Sequence, residues 1–344
     1  VPEGAWWTDV TWEHHDWMDD GWLEVASAYA GTSAGREHLV REQREASLAG
    51  QDAAAARLRA ALLRGDFREE TARAEREEAR RRGLAPRPRS LQPLEAAAVA
   101  ERFGVAHTQV LRDHAISHVL AALAAVDGAA SRDGDLVFIG GTALARTVLP
   151  TLRLSEDVDL LTHAPRRVVA AAIEQVLRRR LRRTLGDVRW AGPGLSEVAD
   201  TEVAVALLGD VQVRFQLLPG DAYPPWPRQV RSLHQRYSDA PPASLCTLST
   251  PAFVASKLSA WHDRRAPRDL YDLWALGVSG CFDARAAALF ARHGPIGHSA
   301  PDFTPPPDES TWEAALAHQG RIRTSAADAA REVRVMWRQV VDHA

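Results

Sequence analysis

Asp157 and Asp159 stand one residue apart inside the run DVDLL, and that spacing is the clearest chemical signal in the chain. Side chains along a strand alternate faces, so a strand here aims both carboxylates one way and turns Val158 and Leu160 to the core. Two like charges so close repel each other unless a cation joins them. Carboxylate oxygens that leave room for phosphates and water are the ligands Mg²⁺ prefers. The plainer alternative is a solvated strand edge with two surface acids, which leaves unexplained why acids flank Val158 in an apolar run. Glu156 breaks the alternation and is expected to face solvent. Upstream, Gly140, Gly141 and Thr142 follow the apolar run LVFI and open a helix. Glycines let the backbone approach a phosphate closely, and a helix start offers unpaired N–H groups at the positive end of its dipole. Thr142 would cap that helix or give its hydroxyl to a phosphate. A simple strand–turn–helix corner with a threonine N-cap reads the same residues without a ligand.

Lysine and arginine together number 42, and Lys257 is the only lysine. A coding bias towards arginine explains the imbalance, and chance survival of one lysine is the simplest account of Lys257. The functional account is that an ammonium is a compact point charge with a tunable pKa, whereas a guanidinium is a planar fork that stays charged. Thr250 and Pro251 fit N-cap and first-turn positions, so a helix begins there with Lys257 near its middle. Pro267 opens the next helix and puts Asp269 in its first turn, where compensation of the helix dipole is reason enough for an acid. Asp272 follows Arg268 at the i,i+4 spacing of a surface ion pair.

The elements that must hold these residues can be traced along the chain. From Asp135 onward strands and helices alternate, with strands expected at Leu136–Ile139, Asp157–Leu161, Val188–Trp190, Glu202–Leu208 and Val211–Leu217, and helices at Thr142–Leu149 and Arg166–Leu185. That pattern predicts an α/β or α+β sheet domain. The PPWP segment at 224–227 marks a loop, and residues 250–344 read as all-helical apart from the proline-rich loop Pro301–Pro307. Residues 94–126 give two helices broken at Gly104. Residues 34–84 are helix-rich and charged, with AAAARLRAALLRG ended by Gly65, and Gly83–Pro93 reads as a linker. The expected division is a Trp-rich arm and charged helical extension over 1–84, a core with its preceding helices over 92–220, and a helical C-terminal domain over 245–344.

Composition sets outer limits. Hydrophobic residues at 46% and charged residues at 25% describe an ordinary globular protein. No apolar run reaches the ~18 residues of a membrane span, and VPEGAWWTDVTWEHHDW lacks the basic and apolar regions of a secretory signal. Cys246 and Cys281 are too few for a disulfide framework, so a cytoplasmic protein is expected. A net charge of −3 disfavours generic nucleic-acid binding, which would need a local patch. The helix Arg166–Leu185 holds seven arginines beside an apolar stripe of Val169, Ile173, Val176, Leu177 and Leu181. Its basic side is a solvated face or a contact for an RNA backbone. AERFGVAHTQVLRDHA has the outline of a helix-turn-helix, as does any tight helix pair with a glycine turn. His114 and His118 have a spacing that can bind Zn²⁺, but no third ligand is evident nearby. Trp6, Trp7, Trp12, Trp17 and Trp22, interleaved with acids, read as a packed arm or a docking strip.

GGTAL followed by R-x-S-x-D-x-D-L resembles the nucleotidyltransferase signature of the AbiEii-type toxins, in the DNA polymerase β-like nucleotidyltransferase superfamily. Here the pieces are Gly140 to Leu144, then Arg153, Ser155, Asp157 and Asp159. Residues 251–276 are similar to the family's K-x-x-A…R-D-x-x-D-L element, through Lys257, Arg268, Asp269 and Asp272. The resemblance covers roughly residues 92–290. It implies a polymerase β-like core sheet with a helical N-terminal extension and a helical C-terminal domain. It implies an NTP substrate and Mg²⁺ held by Asp157 and Asp159, with Gly140, Gly141, Thr142, Arg153 and Ser155 at the nucleotide. Lys257 would neutralise phosphate charge, and Asp269 or Asp272 would orient it or help remove a proton. The family further implies a toxin of a toxin–antitoxin or phage-defence pair, tRNA as acceptor and a winged-helix regulator as antitoxin. One departure stands out. Such enzymes place a third carboxylate on a later strand, and VQVRFQLL offers Gln212, Arg214 and Gln216 there. Glu202 or Asp210 would have to substitute, or the base comes from Asp269 or Asp272, or metal alone activates the hydroxyl. Otherwise activity is impaired, and the chain is a nucleotidyltransferase-like protein that binds nucleic acid or a partner.

Overall fold

The computed structural model describes residues 30, 33–49, 55–56, 58–62, 90–297 and 301–342. The tryptophan arm, the charged segment after residue 62 and most of the proline-rich linker lie outside the described residues. Two compact units are present, Val1–Glu69 and Glu70–Ala344. In the first, α1 (Ser33–Leu48) contributes Leu39 and Ala46 to an apolar cluster with Ala55, Leu58 and Ala61. The helix expected around AAAARLRAALLR is thus seen in its described part.

The second unit is built on one seven-stranded sheet in the order β3-β4-β5-β2-β1-β7-β6. Its strands are β1 (Leu136–Ile139), β2 (Asp157–Thr162), β3 (Arg189–Trp190), β4 (Ala204–Leu208), β5 (Val211–Pro219), β6 (Arg228–Ser232) and β7 (Ser244–Leu248). The centre is mixed. β2 runs antiparallel to β1 and parallel to β5, and β7 lies parallel to β1 on the other side. β6 and β7 carry no expectation from the sequence. Their residues RQVRS and SLCTL lack the long apolar run of β2, and β6 is a half-exposed edge. They extend the sheet well past residue 220.

Register decides which side chains share a face. Asp157 pairs with Arg214 and Asp159 with Gln216 across β2 and β5, while Asp159 pairs with Ile139 across β1. All five sit on one face of the sheet. Val158, Leu160, Phe215 and Leu217 turn to the other face and are fully buried. The helices on that side are α3 (His107–Leu123) and α5 (Arg166–Leu181), which pack on β5 and on each other. Helix α2 (Pro93–Phe103) precedes α3. It opens on a proline and ends at Gly104 in the left-handed region, whose N–H donates to Ala100 O. Between β1 and β2 lies the short helix α4 (Gly140–Ala145). The sequence placed this helix at 142–149. It ends earlier because the turn before Pro150 folds back, Leu149 N donating to Leu144 O.

Among the described residues, five helices follow the sheet: α6 (Thr250–Arg264), α7 (Pro267–Val278), α8 (Ala284–His293), α9 (Glu309–Leu316) and α10 (Ala326–Asp342). Ser249, rather than Thr250, caps α6 by accepting from Ala252 N, and Asp283 and Asp308 cap α8 and α9 in the same way. The helix-turn-helix outline is a real helix pair, but its second helix is no groove reader. Val110, Asp113, His114, Ile116, Ser117, His118, Val119 and Leu120 of α3 are all buried. Among the described residues no helix is long and apolar enough to cross a membrane.

Candidate active site

β1, α4 and β2 form a single corner. Gly140 has φ of 78°, a conformation natural to glycine. A Cβ on Gly140 would lie 2.2 Å from Asp159 Oδ2, and one on Gly141 would lie 2.7 Å from Arg153 Nη2. A side chain at either position would have to displace what stands over it. No side chain caps α4, and its cap residue is Ile139. Thr142 does something else: it is buried, and its hydroxyl donates to the backbone carbonyl of Asp157, tying α4 to β2. That bond holds the two halves of the corner together.

Asp157 and Asp159 share the sheet face as expected. Burial, and after it the Asp157 charge, pushes the Asp159 carboxyl up to about 6. Two hard oxygen donors on one face, one of them costly to charge beside the other, are suited to a divalent cation, so the pair fits Mg²⁺. The neighbouring β5 supplies no acid. Arg214 Nε lies 3.5 Å from Asp157 Oδ1, and Gln216 donates to Thr201 O at 2.8 Å. Neither Glu202 nor Asp210 lines the cleft described below. Glu156, expected in solvent, is partly buried between Arg112 and His318.

The second motif arrives on α6 and α7. Lys257 is buried, 7% exposed, and its ammonium sits 2.8 Å from both Asp269 Oδ1 and Asp272 Oδ2. Asp272 in turn receives a two-pronged contact from Arg153, Nε to Oδ1 at 2.8 Å and Nη2 to Oδ2 at 2.9 Å. Asp269 receives Arg264, Nε to Oδ2 at 2.7 Å. The i,i+4 pair of Asp272 with Arg268 is not what forms. Asp272 reaches Lys257 and Arg153 because it faces the core of the unit.

Charge explains the arrangement. Burial opposes ionisation of both acids, but Lys257, Arg264 and Arg153 outweigh it and hold Asp269 and Asp272 below the usual carboxylate range. Burial likewise pulls Lys257 down, and Asp269 with Asp272 outweighs it, so its pKa stands above the ordinary value. Carboxylates held this firmly charged are weak proton acceptors, which disfavours Asp269 and Asp272 as bases. The cluster joins three cations to two carboxylates and keeps a surplus positive charge beside the acid pair.

Both motifs border one cleft of about 950 Å³, lined by Gly140, Gly141, Arg153, Ser155, Asp157, Asp159, Lys257 and Asp269. That volume is at the upper end of small-molecule sites. Thr142 and Asp272 stand behind its wall. The cleft also includes Arg214 of β5 and brings in residues the sequence did not single out, notably Tyr223, Trp226, Asp263 and Arg264. No spacing rule could have found Tyr223 or Arg264, although the PPWP loop flagged the neighbourhood of Tyr223 and Trp226.

Comparison with known proteins bears on the family and the fold. The family model described as "Nucleotidyl transferase AbiEii toxin, Type IV TA system" matches residues 121–342, which spans β1 to α10. Among solved structures, the nucleotidyltransferase toxin MenT4 from Mycobacterium tuberculosis is similar, with a TM-score of 0.55 at 20% identity over 72% of this chain and 89% of that one. At that identity the likeness speaks for the fold, a mixed α/β core with a central sheet flanked by helices. No curated protein matches the sequence.

Proposed function

We propose that this chain, which belongs to the AbiEii family of nucleotidyl transferase toxins, transfers a nucleotide from an NTP to an acceptor hydroxyl and releases pyrophosphate. The observation that carries the reading is that Gly140 and Gly141, the Asp157–Asp159 pair and Lys257 border one cleft although a hundred residues of chain separate them.

The parts divide the work. The backbone at Gly140 and Gly141 is open to a phosphate, with uncapped helix N–H groups beside it. Asp157 and Asp159 would hold Mg²⁺, which supplies charge neutralisation at the reacting phosphate when bound. Lys257 and Arg264 present the surplus positive charge of their cluster to the triphosphate. Asp269 and Asp272 orient Lys257, and Arg153, at the cleft wall, secures Asp272. Ser155 lies at the cleft wall within reach of the nucleotide. An RNA hydroxyl, with tRNA the natural choice, is the proposed acceptor, and toxicity held in check by a cognate antitoxin is the proposed setting.

Purified protein incubated with labelled NTPs, Mg²⁺ and total tRNA tests this directly. Label should move to RNA with the wild type and not with Asp157→Ala. Equal transfer by both proteins would sink the proposal. A second reading rests on Arg214 and Gln216, which occupy the positions beside the acid pair. It holds that the chain binds nucleotide without turning it over, and NTP binding with no label transfer under any metal would select it.

A further inference from the structure

His114 and His118 gain a third partner that no local pattern announces. Asp239 comes from the segment between β6 and β7, and its Oδ2 lies 2.8 Å from His114 Nε2 and 3.1 Å from His118 Nε2. The two Nε2 atoms are 3.2 Å apart. All three residues are buried, at 7%, 3% and 6% exposure. They are the only such group among the described residues.

A hydrogen-bond network uses this triangle badly. If both Nε2 atoms carry protons to reach the carboxylate, two N–H groups face each other at the third edge. If one of them is bare, its lone pair faces the carboxylate oxygen instead. A cation at the centre satisfies all three edges together. The edges are close to the ~3.3 Å that separates ligand atoms around tetrahedral zinc with bonds of ~2.0–2.1 Å. Asp239 Oδ1 supplies an independent sign: it is buried and has no hydrogen-bond partner among the described residues. Such an atom is costly to leave unpaired, and an ion held at Oδ2 would give it a partner through a second, bidentate contact.

We infer that His114, His118 and Asp239 form a structural site for a divalent transition metal, zinc above all. Two imidazole nitrogens favour zinc over magnesium, which takes oxygen ligands. Burial of all three ligands leaves no entry for a substrate, so the site clips chain to chain. It joins α3 to a segment well over a hundred residues later. The same segment carries Arg236, whose Nη2 donates to Ala145 O at 2.9 Å and Pro150 O at 2.8 Å. It also carries Tyr237, whose hydroxyl donates to Asp113 Oδ2 at 3.0 Å. Asp113 receives Arg146 at 2.7 Å. The clip therefore stands behind the far end of α4, the helix that begins at the glycine turn. The inference is independent of the transferase reading.

The test uses the full chain carrying Asp157→Asn and Asp159→Asn, which removes the cleft acids as competing ligands. After treatment with chelator and desalting, Zn²⁺ is added at sub-stoichiometric steps and retained metal is measured by mass spectrometry. One equivalent should be retained, and adding Asp239→Asn or His118→Gln should abolish it while far-UV circular dichroism stays unchanged. Co²⁺ in place of Zn²⁺ should give the intense visible bands of a four-coordinate site. No retained Zn²⁺, or equal retention after both ligand substitutions, would overturn the inference. Should the ligand variants fail to fold, the Co²⁺ spectrum of the chain with the triad intact decides, and absence of four-coordinate bands overturns it.

Discussion

The carboxylate of Asp159 rests against the α-carbon of Gly140, leaving 2.2 Å between Oδ2 and the place where a Cβ would stand. Gly140 also has φ of 78°, so substitution there meets both backbone strain and a clash. Gly186 provides a matched control, since its φ is 80° and nothing lies within 4 Å of a Cβ. Gly186→Ala should cost only the ~1–2 kcal/mol of left-handed backbone strain. Gly140→Ala should cost that plus the displacement of Asp159, and should lose nucleotide transfer that Gly186→Ala retains. Urea unfolding and the transfer assay on both variants check this. Equal behaviour of the two variants would show that the contact with Asp159 does not matter.

Lys257 is held by Asp269 and Asp272 at 2.8 Å each in a buried cluster. Removing Lys257 still leaves each carboxylate one cation, Arg264 for Asp269 and Arg153 for Asp272, so the cost should fall below the ~3–5 kcal/mol of a wholly stranded buried charge. Lys257→Met should destabilise the protein by less than that and abolish transfer. The double variant Lys257→Met/Asp269→Asn, in which position 269 no longer needs a cation, should be no less stable than Lys257→Met and should stay inactive. Chemical denaturation and the transfer assay separate the two effects. Recovery of activity in the double variant would mean that Lys257 serves the fold alone.

How much of this was legible in the sequence follows the range over which each signal acts. The alternation of Asp157 and Asp159 about Val158 is local, and the strand, its shared face and its place in the cleft all followed from it. The glycine turn was legible for the same reason, and the family motifs extended that reading to the sheet core, which the comparisons bear out. Partnerships across long stretches of chain were not legible. Arg153 meets Asp272 across 119 residues and Asp239 meets His114 across 125, and no periodicity encodes either. β6 and β7 were missed because strand propensity there is carried by sheet neighbours more than by their own residues. The bond of Thr142 was not legible, because its hydroxyl reaches across to β2, where a local rule expects a cap.

The acid pair behind Lys257 predicts how stability depends on pH. Asp269 and Asp272 are held below their ordinary carboxylate values, by Lys257 and by Arg264 and Arg153, against the opposing effect of burial. A group whose folded pKa is depressed contributes stability that is complete above the unfolded value and is lost as pH falls through the folded one. The melting temperature should therefore be insensitive to these groups near neutrality and should drop once pH falls below about 4, the unfolded aspartate value. Asp272→Asn should be less stable than the wild type at pH 7 and should show a shallower acid decline. Thermal melts from pH 7 to pH 3 check this, and parallel curves for the two proteins would refute the assignment.

Arg214 stands where a further acid would complete the carboxylate cluster, with its Nε 3.5 Å from Asp157 Oδ1. Its side chain is 61% exposed, so this ion pair is a weak one, in the range of ~0–1 kcal/mol. As an exposed cation beside the acid pair it would compete with a Mg²⁺ held at Asp157. Arg214→Ala should leave the melting temperature almost unchanged and lower the Mg²⁺ concentration needed for half-maximal transfer. If Arg214 instead contacts the triphosphate, the same substitution raises the KM for NTP and leaves the Mg²⁺ requirement where it was. Initial rates measured over a grid of Mg²⁺ and NTP concentrations distinguish the two outcomes. An unchanged Mg²⁺ dependence would rule out the competition and place Arg214 on the substrate side of the cleft.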